Sequence, residues 1–248
     1  MNLRYITCSD PRENLNLYDV IDLLKISPLA ELGIQAHPSA MSVDKPRWKW
    51  FDDLLYIVEC TIPQPNIALH INYQWSDEIC GEGNWPVDIQ PFLRKEHLFT
   101  GKPVVSRIQL NIGDGTTKFN AQKLSELISY HHDMEFVLPY NEKVAPQIEQ
   151  LKSTGTKFKL LFDGSYGAGK SPENWQKPVY DNIQFGYAGG MSPENVIKNL
   201  NKISQILPRN YKTWIDAEGQ LRTNGAMDLN KARAYLNNAL KWNQMNTK

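Results

Sequence analysis

The chain has 248 residues, 41% hydrophobic and 22% charged, and its 27 basic and 27 acidic side chains cancel to zero formal charge. The length suits one large domain or two small ones, and it matches a (β/α)8 barrel, typically ~250 residues. Balanced charge without a basic run argues against nucleic acid or an anionic membrane as partner, and no apolar stretch nears the ~18 to 20 residues that cross a bilayer.

In chain order, β-rich runs fall at Leu3–Cys8, Glu31–Ala36, Asn66–Ile71, Val104–Leu110, Met134–Leu138, Lys157–Phe162, Asn182–Tyr187 and Lys212–Asp216. Amphipathic segments lie between them, among them Tyr18–Ile26, Ala121–Tyr130, Glu142–Lys152, Pro193–Ile206 and Asp228–Leu240. Val196, Ile197, Leu200, Ile203 and Leu207 form the buried stripe of one such helix. Ser192 and Asn120 are placed to cap helices, and Pro193 suits a first helical position. Eight strand–helix units predict a single α/β domain over residues 1–248, a (β/α)8 TIM barrel with a long insertion after the third strand. An open doubly wound sheet is the alternative, weakened by the lack of Gly-x-Gly-x-x-Gly after the first strand. The insertion, Asn72–Pro103, is too long for a plain connection and is expected to hold a helix near Asp88–His97.

Four of the seven tryptophans, Trp48, Trp50, Trp75 and Trp85, fall between Met41 and Pro86. They read as packing, or as the wall of an aromatic cavity. Cys8, Cys60 and Cys80 match no zinc or redox spacing. Their odd number and the lack of a leader segment lead to the expectation of a reducing cytoplasm.

A barrel of this kind carries its site where the strands end. Polar residues there include Cys8, Ser9, Asp10, His37, Asn72, Asn111, Tyr140, Asp163 and Asp216. The most specific local signal is the seventh loop, Ala188-Gly189-Gly190-Met191-Ser192-Pro193-Glu194-Asn195. Paired glycines let bare N–H groups approach an anion, and a helix start adds its positive end. With Gly219 in the eighth loop, this predicts a phosphate site; the alternative is a tight turn only. The string Gly164–Ser171, Gly-Ser-Tyr-Gly-Ala-Gly-Lys-Ser, also matches a P-loop, although Pro172 opposes the helix that should follow. His37, His70, Asp163 and Asp216 are of a type that binds divalent metal in a sugar-phosphate epimerase. The acid that such an epimerase carries on its seventh strand is missing.

The loops together resemble phosphoribosylanthranilate isomerase, the Amadori-rearrangement barrel of tryptophan biosynthesis. The resemblance rests on Leu160-Leu161-Phe162-Asp163 with Gly167-Ala168-Gly169-Lys170 and Trp175, on Ala188-Gly189-Gly190-Met191-Ser192-Pro193-Glu194-Asn195-Val196, on Ile215-Asp216 with Gly219, and on Tyr5-Ile6-Thr7-Cys8. It covers the chain in layout and is specific mainly from Lys157 onward. It implies a cofactor-independent aldose–ketose isomerase acting on a phosphorylated amino sugar, as monomer or homodimer. By resemblance, Asp163 protonates the ring oxygen and Cys8 removes the C2 proton. Gly189, Gly190 and Gly219 hold phosphate, while Asp216, Asn111 and Arg47, the last in the second loop, contact substrate; no metal is implied. Two departures stand out: Ser9 follows Cys8 where the family has Gly, and Asn111 stands where it has His. Another phosphosugar isomerase or epimerase, or a non-catalytic phosphate-binding barrel, remains an alternative.

Overall fold

The computed structural model describes residues 1–112, 118–164 and 169–246. Eight parallel strands close into a barrel in chain order: β1 Asn2–Ser9, β2 Ala30–Ala36, β3 Asn66–Ile71, β4 Val105–Leu110, β5 Glu135–Pro139, β6 Lys159–Asp163, β7 Phe185–Ala188 and β8 Lys212–Ala217. The helices are α1 Leu17–Leu24, α2 Pro38–Met41, α3 Pro46–Cys60, α4 Gln74–Glu82, α5 Gln90–Leu93, α6 Ala121–Tyr130, α7 Ala145–Ser153, α8 Val196–Ile206 and α9 Leu229–Asn246. This is the architecture expected from eight strand–helix units, and it leaves no place for an open doubly wound sheet. No helix among the described residues is long and apolar enough to cross a membrane. The chain clusters into two compact units, Met1–Gly33 with Leu160–Lys248, and Ile34–Lys159.

In the first unit, Asn16 caps α1 by accepting from the Tyr18 N–H, and Val20, Ile21, Leu23 and Leu24 make its buried face. The ladder of β1 against β8 is interrupted between Leu3 and Tyr5, which pair with Thr213 and Trp214. The expected helix at Pro193 begins instead at Val196. Ser192 to Asn195 form a turn before it, in which the Ser192 Oγ accepts from the Glu194 N–H at 3.2 Å. Between β6 and β7, described residues 169–184 contain no helix. After β8 the chain makes a short antiparallel pair, β9 Arg222–Thr223 and β10 Ala226–Met227.

In the second unit the Trp-rich stretch is helical. Pro46 opens α3, whose Trp50, Phe51, Leu54, Leu55 and Val58 are buried. Their spacing wraps one helix face. Trp48 packs on Phe92 with ring centroids 5.0 Å apart and donates through Nε1 to the Asp88 carbonyl. Trp85 stacks on Phe136 and donates to His131 Nε2 at 2.7 Å. These contacts favour packing over a cavity wall. The insertion after β3 carries α4, a short 3-10 turn at Val87–Ile89 and α5. The helix expected near Asp88–His97 is therefore shorter, and α4 precedes it. Asn120 caps α6, as expected, through Lys123 N.

Candidate active site

Strand alternation decides which side chains share a face. Across the first unit, Asp163 of β6 is opposite Ala188 of β7, Ala188 opposite Asp216 of β8, Asp216 opposite Thr7 of β1, and Thr7 opposite Glu31 of β2. These five residues form one row on one face. At ~5 Å per strand, the Asp163 and Asp216 backbones are about 10 Å apart. Ala188 is the residue between them in the row. One step further along β1, Ser9 shares this face, and its hydroxyl donates to Asp216 Oδ1 at 2.6 Å. The Thr7 hydroxyl likewise donates to Glu31 Oε1 at 2.6 Å.

Cys8 belongs to the opposite face of β1, with Ile6. It is fully buried. Burial pushes its thiol well above the ordinary range, and the nearby Asp216 charge adds to that. Behind it lies Tyr235 of α9, also fully buried, with a hydroxyl raised by burial and then by Cys8 and Asp216. The structure thus brings Asp163 and Asp216 to one face and leaves Cys8 off it. A thiol in these surroundings is held protonated, because burial and the Asp216 charge both disfavour the thiolate.

The seventh loop follows directly from this row. Gly189 and Gly190 have φ of 125° and 58°, the region that favours glycine. A Cβ on Gly190 would lie 2.3 Å from Ser171 N and 2.4 Å from the Lys170 carbonyl carbon, so the loops after β6 and β7 touch backbone to backbone. The Gly190 carbonyl accepts from Ser171 Oγ at 3.0 Å and from Asn195 Nδ2 at 2.8 Å. Asn199 Nδ2 donates to Ser171 Oγ at 3.0 Å and to Asn195 Oδ1 at 3.1 Å. Among the described residues, the Gly189 and Gly190 N–H groups donate to no protein acceptor. Gln220, beside Gly219 in the eighth loop, donates to the Gly169 carbonyl at 2.7 Å. Among the described residues, a Cβ added at Gly219 would meet no atom within 4 Å.

Asp10, missed as a structural anchor in the sequence, has φ of 61° and is buried. Arg222 of β9 binds it, and Arg12 does so at 3.2 Å. Arg222 also meets Glu218 at 2.6 Å. An Asp before a Pro-Arg pair is a weak signal for such a clasp, and its distant partner Arg222 cannot be read from sequence.

In the second unit, amides line the ends of β2, β3 and β4. Asn72 donates to Gln35, Asn111 to Asn72 Oδ1 at 2.7 Å, and Gln109 to Asn111 Oδ1 at 3.0 Å. Asn111 therefore stands at a strand end as expected, held in an amide chain. Arg47 is not in a loop. It lies in the first turn of α3, is buried, and donates to the Gln35 carbonyl at 3.4 Å.

His70 is fully buried, and its pKa is lowered to about 3 by burial and then by Arg107. The His37 ring accepts or donates at Nδ1 with Ser39 Oγ, 2.9 Å away. Among the described residues, no three His, Cys, Asp or Glu side chains are grouped to hold a metal ion. Residues 165–168 of the P-loop-like string lie outside the described residues. The helix that a P-loop opens after its Lys-Ser is missing from residues 169–184, which overturns that reading. Trp175 packs against Phe162 and Tyr187, with centroids 6.2 and 5.7 Å away, as a core residue.

No protein-family profile matches the chain, and no curated protein matches it in sequence. Solved structures do match in fold. A monomeric form of dimeric phosphoribosylanthranilate isomerase from Thermotoga maritima aligns with TM-score 0.57 and 12% identity over 96% of this chain and 98% of that one. N-(5'-phosphoribosyl)anthranilate isomerase from Pyrococcus furiosus gives 0.54 and 12% over 96% and 98%. The BexX/CysO complex of Amycolatopsis orientalis gives 0.52 and 14% over 98% and 91%. At these identities the likeness is one of fold.

Proposed function

We propose that this chain is an enzyme that isomerises a phosphorylated amino sugar, an aldose–ketose rearrangement of the kind carried out by phosphoribosylanthranilate isomerases. The observation that carries the reading is the seventh loop. Its two left-handed glycines, braced by Ser171, Asn195 and Asn199, adjoin a face bearing two carboxylates. An oxyanion at the loop would be held by backbone N–H groups, with Gly219 leaving room beside it. A sugar extending from that phosphate would run over Ala188, between Asp163 and Asp216.

In this reading Asp163 is the acid. It gives its proton to the ring oxygen as the bond from C1 to that oxygen breaks and the nitrogen lone pair forms a C1–N double bond. A base then removes the C2 proton. The C–H electron pair becomes a C1–C2 double bond, and the nitrogen recovers its own pair. Ketonisation shifts a proton to C1. No electron acceptor is needed.

The test is turnover of N-(5'-phosphoribosyl)anthranilate by purified protein, together with growth without tryptophan of a strain lacking this isomerase. Asp163→Asn is expected to reduce kcat/KM by about 10²–10⁴-fold, the usual size of a general acid's contribution. Soluble protein that neither turns over this substrate nor rescues growth would overturn the reaction. If it still bound phosphorylated sugars, the alternative of another phosphosugar isomerase or a binding barrel would stand.

A further inference from the structure

We propose that the base of this isomerisation is the Asp216 carboxylate, positioned by the Ser9 hydroxyl, and that Cys8 is a packing residue behind it. The assignment rests on the isomerase reading above and narrows it to particular atoms.

Three observations converge. First, β1 pairs in register with β8 from Tyr5 to Cys8, so alternation fixes the faces: Thr7 and Ser9 accompany Asp216, and Cys8 does not. A rotamer change cannot bring Cys8 across its own backbone. Secondly, Cys8 has no exposed surface and backs onto α9, where Tyr235 is fully buried as well. Thirdly, the Ser9 hydroxyl donates at 2.6 Å to Asp216 Oδ1, across 207 positions of sequence. That bond orients a carboxylate lying in the same row as Asp163, two strands away across Ala188. Two carboxylates on either side of a small residue make an acid–base pair that a C1–C2 unit can lie between.

The rival on β1 is Asp10. Its carboxylate is clasped by Arg12 and Arg222, which commits it to holding the β9 hairpin. Around Asp216 stand the Ser9 hydroxyl from β1, Asp163 in the same row and, on the packed side of the strand, Cys8 and Tyr235 of α9, both of which feel its charge. In the reaction, the ionised Asp216 takes the C2 proton, becomes a neutral acid, and returns the proton at C1 as the enolamine ketonises. The proton that leaves the C2 hydroxyl in that step restores Asp163, which gave its own to the ring oxygen, so both carboxylates end as they began.

The experiment measures kcat/KM against pH for the parent, Asp216→Asn, Ser9→Ala and Cys8→Ser. Asp216→Asn is expected to lose about 10²–10⁴-fold. The parent's acid limb should fall in the carboxylate range and move to higher pH in Ser9→Ala, because the lost hydrogen bond favoured the ionised form. Ser9→Ala keeps the test alive should Asp216→Asn fail to fold. A limb in the thiol range, or activity lost in Cys8→Ser and kept in Asp216→Asn, would overturn this assignment and leave the isomerase reading standing. A parent protein that turns over no substrate and is not stabilised by phosphorylated sugar takes down the reading and the assignment together.

Discussion

At the scale of single residues, a site is set as much by the face of a strand as by position along it. Cys8 and Ser9 are neighbours, yet one serves the packed side of β1 and the other the side that carries Asp216. Motif spacing does not encode that difference, which is why both were expected at the strand end and only the thiol was given a catalytic role. Asp163 and Asp216 could be read as strand-end acids because each lies at or next to the end of its strand, while the register row that joins them could not. Arg47 was placed in a loop because the Trp-rich text around it hid the period of α3. His70 yields a prediction of its own. Its pKa is lowered to about 3 by burial and Arg107, whereas the unfolded chain protonates near 6.5. The unfolded state thus binds the extra proton between those values, so the stability His70 provides is complete above about 6.5 and is lost as pH falls toward 3, at about 1.4 kcal/mol per pH unit. Urea unfolding at pH 7 and pH 5 is expected to show His70→Gln losing about 2 kcal/mol less than the parent over that interval.

At the scale of elements, the strands were readable to within a few residues, because β-branched and aliphatic runs bounded by polar or Gly positions leave little choice. Helices were less so. The region of α3 mixes Trp, Lys and Asp, and its buried positions emerge only when they are counted around a helix. The turn before α8 shows the converse: Ser192 and Pro193 carry helix-start signals, but Ser192 accepts from Glu194 in a turn that ends where the helix begins. The loops after β6 and β7 form one mechanical piece through Gly190. Gly190→Ala is expected to weaken binding of a phosphorylated sugar by at least about tenfold, because an added Cβ must displace the Lys170–Ser171 backbone and φ of 58° is unfavourable to alanine. Isothermal titration with ribose 5-phosphate checks this; unchanged affinity would remove the loop from the anion site.

At the scale of the whole molecule, eight consecutive parallel strands commit the chain to a barrel, and that much follows from the order of its apolar runs. Chemistry is less visible, since it depends on partners as distant as Ser9 and Asp216. Ligand binding should register in global stability. At a hundred times its Kd, a phosphorylated sugar is expected to stabilise the fold by about 2.7 kcal/mol and raise Tm by several degrees, measurable by scanning calorimetry, with sulfate at equal ionic strength as control. The three cysteines add a practical dimension. Cys8 and Cys80 are buried and their thiols are held protonated by desolvation, whereas Cys60 ends α3 in the open. A maleimide dye under native conditions therefore has a single address on the surface. A fluorophore there can follow tumbling and self-association, and the appearance of a second and third labelled thiol becomes a clock for unfolding.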